Sequence, residues 1–136
     1  MPKEIIYRYT EHLGIERPVI LLPFNNPENE NIVIELNAIV DSGADKSHSF
    51  KEIGEALGIE FPKKTNVQMS GLYGTESGWS APIQVRIRDK KIIIDAVWAN
   101  REFNPEEDFP FILGRETIFD KYDIEFTKDK RIIFRE

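Results

Sequence analysis

The chain has 136 residues, of which 40% are hydrophobic and 31% charged, and these values are typical of one globular domain rather than a disordered segment. The net charge of −6 disfavours binding to the phosphate backbone of nucleic acids. The absence of cysteine excludes disulfides, thiolate metal sites and a cysteine nucleophile, and two histidines are too few for a histidine-rich zinc site.

The first part of the chain carries mainly strand signals. Residues 5–9 are β-prone, residues 18–22 form a buried apolar run, and residues 32–40 form a strand that ends in the triplet Ala38-Ile39-Val40. Between the last two, residues 25–31 are dense in asparagine and other turn formers, so they predict an exposed loop.

One helix is predicted from Ser49 onwards. Ser49 and Glu52 have the spacing of a capping box, and Phe50, Ile53 and Leu57 fall on one helical face. Gly58 stands where such a helix should stop.

The rest of the chain again predicts short strands. They cover residues 67–69, 83–87, 92–98, 124–126 and 132–134, with loops at 70–78 and 104–108, a turn at 128–130 and a short helix at 116–121. This pattern predicts a single domain over residues 1–136, all-β with two short helices, in a closed or sandwiched β architecture.

Two motifs carry the chemistry. Asp41-Ser42-Gly43-Ala44-Asp45 directly follows the apolar strand end, although Asp-Ser-Gly is also a common turn tripeptide and alone indicates no more than a turn. Downstream, Phe109-Pro110-Phe111-Ile112-Leu113 leads into Gly114-Arg115 and then a helix. The glycine-bearing loop from Gly71 to Gly78 lies between them.

Taken in this order, the three elements resemble the retropepsin family, which includes the retroviral proteases and their cellular and bacterial relatives. The resemblance runs from about residue 17 to about residue 126. Glu116 departs from it, since Asn or Asp commonly follows the Gly-Arg pair, and the stretch from Met69 to Pro82 is longer than the shortest flaps of the family.

The resemblance implies an acid-protease-like β-barrel lobe that works as a homodimer. It implies an aspartic endopeptidase that cleaves extended peptides without a cofactor or metal. Asp41 would be the catalytic aspartate, and an identical chain would bring the second across a two-fold axis. Two carboxylates about 3 Å apart would then share one proton and activate a water between them.

The resemblance also implies roles for the neighbouring residues. Ser42 would bond across the two-fold axis, Gly43 and Asp45 would meet the substrate backbone, and Arg115 would pair with Asp45 in a partly buried ion pair. The remaining active-site, flap and supporting positions are Ala44, Gly71, Leu72, Tyr73, Gly74, Ile112, Leu113 and Gly114. By analogy with the interleaved termini of retroviral proteases, residues 4–9 and 131–135 would serve the interface.

Other candidates favour ordinary structural roles. His48 is interpreted as a solvated or capping residue, and Glu106-Glu107-Asp108 and Lys128 to Arg131 as solvated loops. For Tyr73 and Trp79, covering a substrate and plain packing stay open. Two rival functions also stay open: a non-catalytic dimer of the same fold that binds peptides or proteins, and a β-barrel that binds a small molecule.

The location predicted from the sequence is cytoplasmic, without membrane association. The N-terminus lacks the apolar run of a signal peptide. The longest apolar stretches, Val19 to Leu22 and Ile92 to Ile94, are far too short to span a bilayer.

Overall fold

A computed structural model describes residues 3–71 and 74–136. The first half of the chain forms β1 (Glu4–Arg8), β2 (Thr10–His12), β3 (Ile15–Arg17), β4 (Val19–Asn26), β5 (Asn29–Val40), β6 (Ser47–Phe50) and α1 (Lys51–Ala56). The second half forms β7 (Val67–Gly71), β8 (Gly74–Ile87), β9 (Lys90–Ala99), β10 (Phe111–Leu113), α2 (Ile118–Lys121), β11 (Asp123–Phe126) and β12 (Arg131–Arg135). The predicted fold class, mostly β with two short helices, is confirmed.

Six strands close into a barrel. They are hydrogen-bonded in the order β4-β5-β10-β6-β9-β8, and β8 returns to pair with β4 through Phe24 opposite Val85. A period of two in the sequence gives a strand one buried face, because alternate residues of a strand face the same side. In β9, for example, Ile92 and Ile94 are almost fully buried while Ile93 between them is 56% exposed. The predicted β-barrel is therefore confirmed.

The terminal strands form a separate sheet in the order β1-β12-β11. Its inner face adds Ile5, Ile132 and Phe134 to the core. By analogy with retroviral proteases, the terminal strands are expected to serve the dimer interface. Within one chain, β12 is already paired on both edges. An interface made by these strands therefore has to use their faces or the outer edge of β1.

The predicted loop at residues 25–31 is wrong. β4 continues to Asn26 and β5 starts at Asn29, so the turn is only two residues long. Asn25 stays in the strand because its side chain has a partner there: it is 8% exposed, and its Oδ1 accepts a hydrogen bond from Gln84 Nε2 at 3.0 Å. An asparagine with such a cross-strand partner need not form a turn.

The predicted start of the first helix is also wrong. Ser49 and Phe50 belong to β6, and α1 begins at Lys51 without a side-chain cap. The two side chains of the expected capping box bond elsewhere: Ser49 Oγ donates to the Pro110 carbonyl at 2.7 Å, and Glu52 Oε1 accepts from the Phe103 N–H at 2.5 Å. Gly58 does follow the helix, with a positive φ of 84°.

The predicted loop at residues 70–78 is mostly a hairpin. β7 and β8 pair from Val67 opposite Gly78 to Gly71 opposite Gly74. Residues 74–78 contain no apolar side chain, so this part of β8 lacks the alternation by which a strand is recognised.

The later elements agree with prediction more closely. The strand in β9, the loop at 104–108 and the β11–β12 hairpin are confirmed, and the second helix starts two residues later than expected. In the described part of the chain, no helix combines the length and the apolar character needed to cross a bilayer.

Candidate active site

Asp41 stands at the end of β5, where this strand runs beside β10. The two strands are parallel, with Val40 opposite Leu113. The Asp41 N–H donates to the Leu113 carbonyl at 3.0 Å, which extends the contact by one residue. The motifs at 41–45 and 109–115 therefore meet in space.

The Asp41 carboxylate is oriented by the loop that follows it. The Gly43 N–H donates to Asp41 Oδ1 at 2.8 Å, and the Ala44 N–H donates to the Asp41 carbonyl at 3.3 Å. A Cβ on Gly43 would lie 3.2 Å from Asp41 Oδ1, so a side chain here would crowd the carboxylate. Asp41 is half-buried, whereas Ser42 and Gly43 are exposed. The chain thus presents one fixed carboxylate at its surface.

Gly114 allows the second motif to pass directly against this loop. Its N–H donates to Ser47 Oγ at 3.1 Å, and a Cβ there would overlap the Lys46 carbonyl and lie 3.0 Å from the Ala44 carbonyl oxygen. The next two N–H groups, of Arg115 and Glu116, donate to the carbonyls of Ala44 and Asp45 at 2.8 and 2.9 Å. Beneath them Leu113 is fully buried and Ile112 is partly buried. Main-chain hydrogen bonds therefore fix the loop.

The structure brings Asp45 and Arg115 together, but not in the expected environment. Arg115 Nη2 contacts Asp45 Oδ1, while the two side chains are 53% and 76% exposed, so a partly buried pair was the wrong expectation. Glu116, the departure from the family pattern, pairs with Lys46 at 3.2 Å. Ion pairs this exposed contribute little to stability.

A cleft of about 460 Å³ separates the Asp41 loop from β7. Residues 43–46 form one wall, and residues 67–70 form the other. The floor includes His48, Val97 and Ser80, which are cross-strand neighbours in β6, β9 and β8. The cleft has the volume of a small ligand site, which suits side chains of an extended peptide.

His48 is the cleft residue that sequence reasoning missed. The expectation of a solvated or capping histidine is wrong, because His48 lies in β6 with Nδ1 3.2 Å from Met69 Sδ. Burial lowers the pKa of His48 below its ordinary value, although the negative charges of Asp41 and Glu76 oppose this shift. The polar sequence around it hid the strand, which tolerates Ser47 and Ser49 because their hydroxyls bond to the main chain of Gly114 and Pro110.

The expected flap coincides with the β7–β8 hairpin. Gly71 and Gly74 pair with each other near its tip, and Leu72 and Tyr73 lie outside the described residues. Trp79 does not cover the cleft. It is 2% exposed, and its Nε1 donates to the carbonyls of Pro62 and Lys64 at 2.9 and 3.1 Å, so the packing alternative holds for Trp79.

The acidic loop at 106–108 contains one residue with a defined partner. Asp108 forms a two-pronged contact with Arg101, at 2.9 and 3.1 Å, and is 15% exposed, so it is not a solvated loop residue. This hydrogen bonding holds the pKa of Asp108 below its ordinary value. Within residues 3–71 and 74–136, no group of three or more His, Cys, Asp or Glu side chains could hold a metal ion.

Comparison with known proteins identifies the fold. No protein-family model and no curated protein matches the sequence. The crystal structure of a retropepsin-like aspartic protease from Rickettsia conorii is similar, with a TM-score of 0.67 and 17% identity over 99% of this chain and 92% of that chain. The EIAV protease, complexed with the inhibitor HBY-793, is also similar, with a TM-score of 0.57 and 21% identity over 82% of this chain and 93% of that chain. The chain therefore has the retropepsin-like fold that its motifs predicted.

Proposed function

We propose that this chain is one subunit of a homodimeric aspartic endopeptidase. The observation that carries the proposal is the Asp41 loop, which presents a half-buried carboxylate, oriented by the Gly43 N–H, and whose residues 43–46 line an open cleft. Hydrolysis of an amide by this chemistry needs two adjacent carboxylates and a water. Asp41 supplies one, and a second copy related by a two-fold axis supplies the other.

The substrate in this proposal is an extended peptide that lies between the Asp41 loop and the β7–β8 hairpin. Ser42 bonds across the two-fold axis, the Gly43 carbonyl and Asp45 contact the peptide backbone, and the hairpin covers the peptide. In this proposal residues 1–136 form a single protease domain. The reaction uses no cofactor or metal. The cytoplasmic location stays a prediction.

The main rival is a dimer of the same fold that binds peptides without cleaving them, since a fold alone does not determine activity. Against it stands Asp41, because a binding module has no chemical need for a carboxylate held in this way. A small-molecule site inside the barrel is disfavoured, since the interior is filled by buried side chains such as Phe24, Trp98 and Phe111.

The direct test is Asp41→Asn, assayed on a mixed peptide library with Asp95→Asn, an exposed aspartate on β9, as the control. We expect cleavage to fall by about 10²–10⁴-fold, because the water loses its base. Circular dichroism and thermal unfolding should show that the fold is intact. Residual cleavage within about tenfold of wild type would refute the role of Asp41, since a lost general base accounts for more than that. Peptide binding without any cleavage by the wild type would favour the rival.

The dimer has its own test. At pH 8, Asp41→Asn should dimerise more tightly than the wild type, because two facing carboxylates repel each other. Towards pH 5 the wild-type pair can share a proton, so the advantage should shrink. Sedimentation of both proteins over a dilution series measures this, and equal dimer affinities at pH 8 would mean that the Asp41 side chains are not neighbours.

A further inference from the structure

The β7–β8 hairpin projects beyond the barrel. Towards the tip of the hairpin, the pairing of β8 with β9 ends at Gly78, which lies opposite Ala99. Just beyond it, the Asn100 N–H donates to the Ser77 carbonyl at 2.9 Å. From Glu76 to Gly74, β8 pairs with β7 alone. A two-stranded ribbon is marginally stable by itself. Its position over the cleft therefore depends on side-chain contacts with the rest of the chain.

Two such contacts start from the same rung of the hairpin. Met69 and Glu76 are directly opposite each other, so their side chains share one face. Met69 Sδ lies 3.2 Å from His48 Nδ1 in the cleft floor. Glu76 Oε1 accepts a hydrogen bond from Arg101 Nε at 2.8 Å.

Arg101 is itself held in place before it meets the hairpin. Its two terminal nitrogens donate to the two oxygens of Asp108, and its guanidinium carbon lies 4.7 Å from the centre of the Phe50 ring. Asp108 in turn accepts the Asn104 N–H at 2.9 Å, which fixes it to its own loop. A guanidinium is planar, so two fixed nitrogens also fix the direction of the third. Arg101 Nε is thus aimed at Glu76.

We propose that Arg101 is a positioning residue that holds the β7–β8 hairpin over the Asp41 cleft by binding Glu76. A hairpin that is already held in the position in which it covers a peptide loses less conformational freedom when the peptide binds. The effect of the Arg101–Glu76 contact on substrate binding rests on the proposed peptidase function. The contact itself does not, and can be measured without substrate.

The experiment compares amide hydrogen exchange of residues 68–71 and 74–77 in the wild type and in Glu76→Gln. Glu125→Gln is a matched control, because Glu125 also contacts an arginine at 2.8 Å and its side chain is 48% exposed, against 49% for Glu76. We expect exchange in the hairpin to rise about two- to fivefold in Glu76→Gln, the factor that corresponds to one exposed ion pair, and not in Glu125→Gln. In 1 M salt, which screens exposed charges, the difference should shrink. Equal exchange in the two variants would overturn the proposal.

Cleavage kinetics provide the second measurement. In Glu76→Gln the KM of a peptide should rise by a similar factor, about two- to fivefold, with kcat almost unchanged, because Glu76 does not contact the reacting atoms. A fall in kcat with constant KM would contradict a positioning role. If the wild type cleaves no peptide, or Asp41→Asn cleaves within about tenfold of it, while hairpin exchange still rises in Glu76→Gln, the proposed function fails and the contact of Arg101 with the hairpin stands.

Discussion

The Asp41 loop and the β7–β8 hairpin face each other across one cleft, yet they are held in place by different means. The loop is fixed by main-chain hydrogen bonds to Leu113, Arg115 and Glu116. The projecting part of the hairpin contacts the rest of the described chain through the side chains of Met69 and Glu76. Main-chain bonds survive most substitutions, whereas a side-chain contact is lost with one residue. Rigidity is therefore built into the loop by the fold, and the mobility of the hairpin can be adjusted by single substitutions.

The largest effect on stability is expected at Gly114, because the Asp41 loop packs against it in a space that leaves no room for a side chain. Gly114→Ala places a Cβ against the carbonyls of Lys46 and Ala44, which belong to the main chain and cannot swing away. We expect a loss of about 1–3 kcal/mol in the free energy of unfolding, as for other overpacked sites. Urea denaturation measures it, with Lys128→Ala in an exposed turn as the control. An unchanged midpoint would mean that the loop can shift, and the contrast with the hairpin would disappear.

A smaller effect is expected at the ion pair beside the loop. Asp45→Asn removes the partner of Arg115, but both side chains are more than half exposed, so we expect a change below about 1 kcal/mol in the free energy of unfolding. The same denaturation experiment sharpens the comparison. A loss as large as that of Gly114→Ala would show that side-chain charge, and not only the main chain, holds the Asp41 loop.

The smallest effect on stability is expected at His48, which contacts Met69 of the hairpin. Burial lowers the pKa of His48 in the folded protein, so the unfolded chain, near the ordinary value of about 6.5, binds the proton more readily. Folding therefore loses stability at this residue as the pH falls below about 6.5, and no such loss occurs well above it. Between pH 7.5 and pH 5, His48→Gln should lose less stability than the wild type. Urea midpoints at the two pH values test this, and parallel losses would contradict it.

The sequence predicted the parts of the molecule that depend on local patterns. Asp41 and Gly114 lie in short motifs after apolar strands, and the alternation in β9 marks one barrel wall. The predictions failed where tertiary contacts, rather than local patterns, determine the secondary structure. Asn25 is kept in a strand by Gln84, and Ser49 bonds to Pro110 rather than capping a helix.

The remaining misses have the same origin. The β2–β3 hairpin was overlooked because its turn places Leu13 at a φ of 54°, a conformation that few leucines adopt, and only Gly14 beside it indicated a turn. His48 was misinterpreted and Arg101 was overlooked, because their partners, Met69 and Glu76, are distant in the sequence.

The pairing of β1 with β12 has a consequence for how the chain folds. Ile5 pairs with Phe134, so the two partners of this rung are separated by most of the sequence. During synthesis at about 5–20 residues per second, β1 waits roughly 6–26 s before β12 exists. In that interval its apolar residues are available to other chains, because an unpaired strand edge is a template for association. Pairing over such long separations also slows folding, which for β-rich domains takes about milliseconds to seconds. β1 is made before β12 and therefore stays unpaired until the later strand has been made.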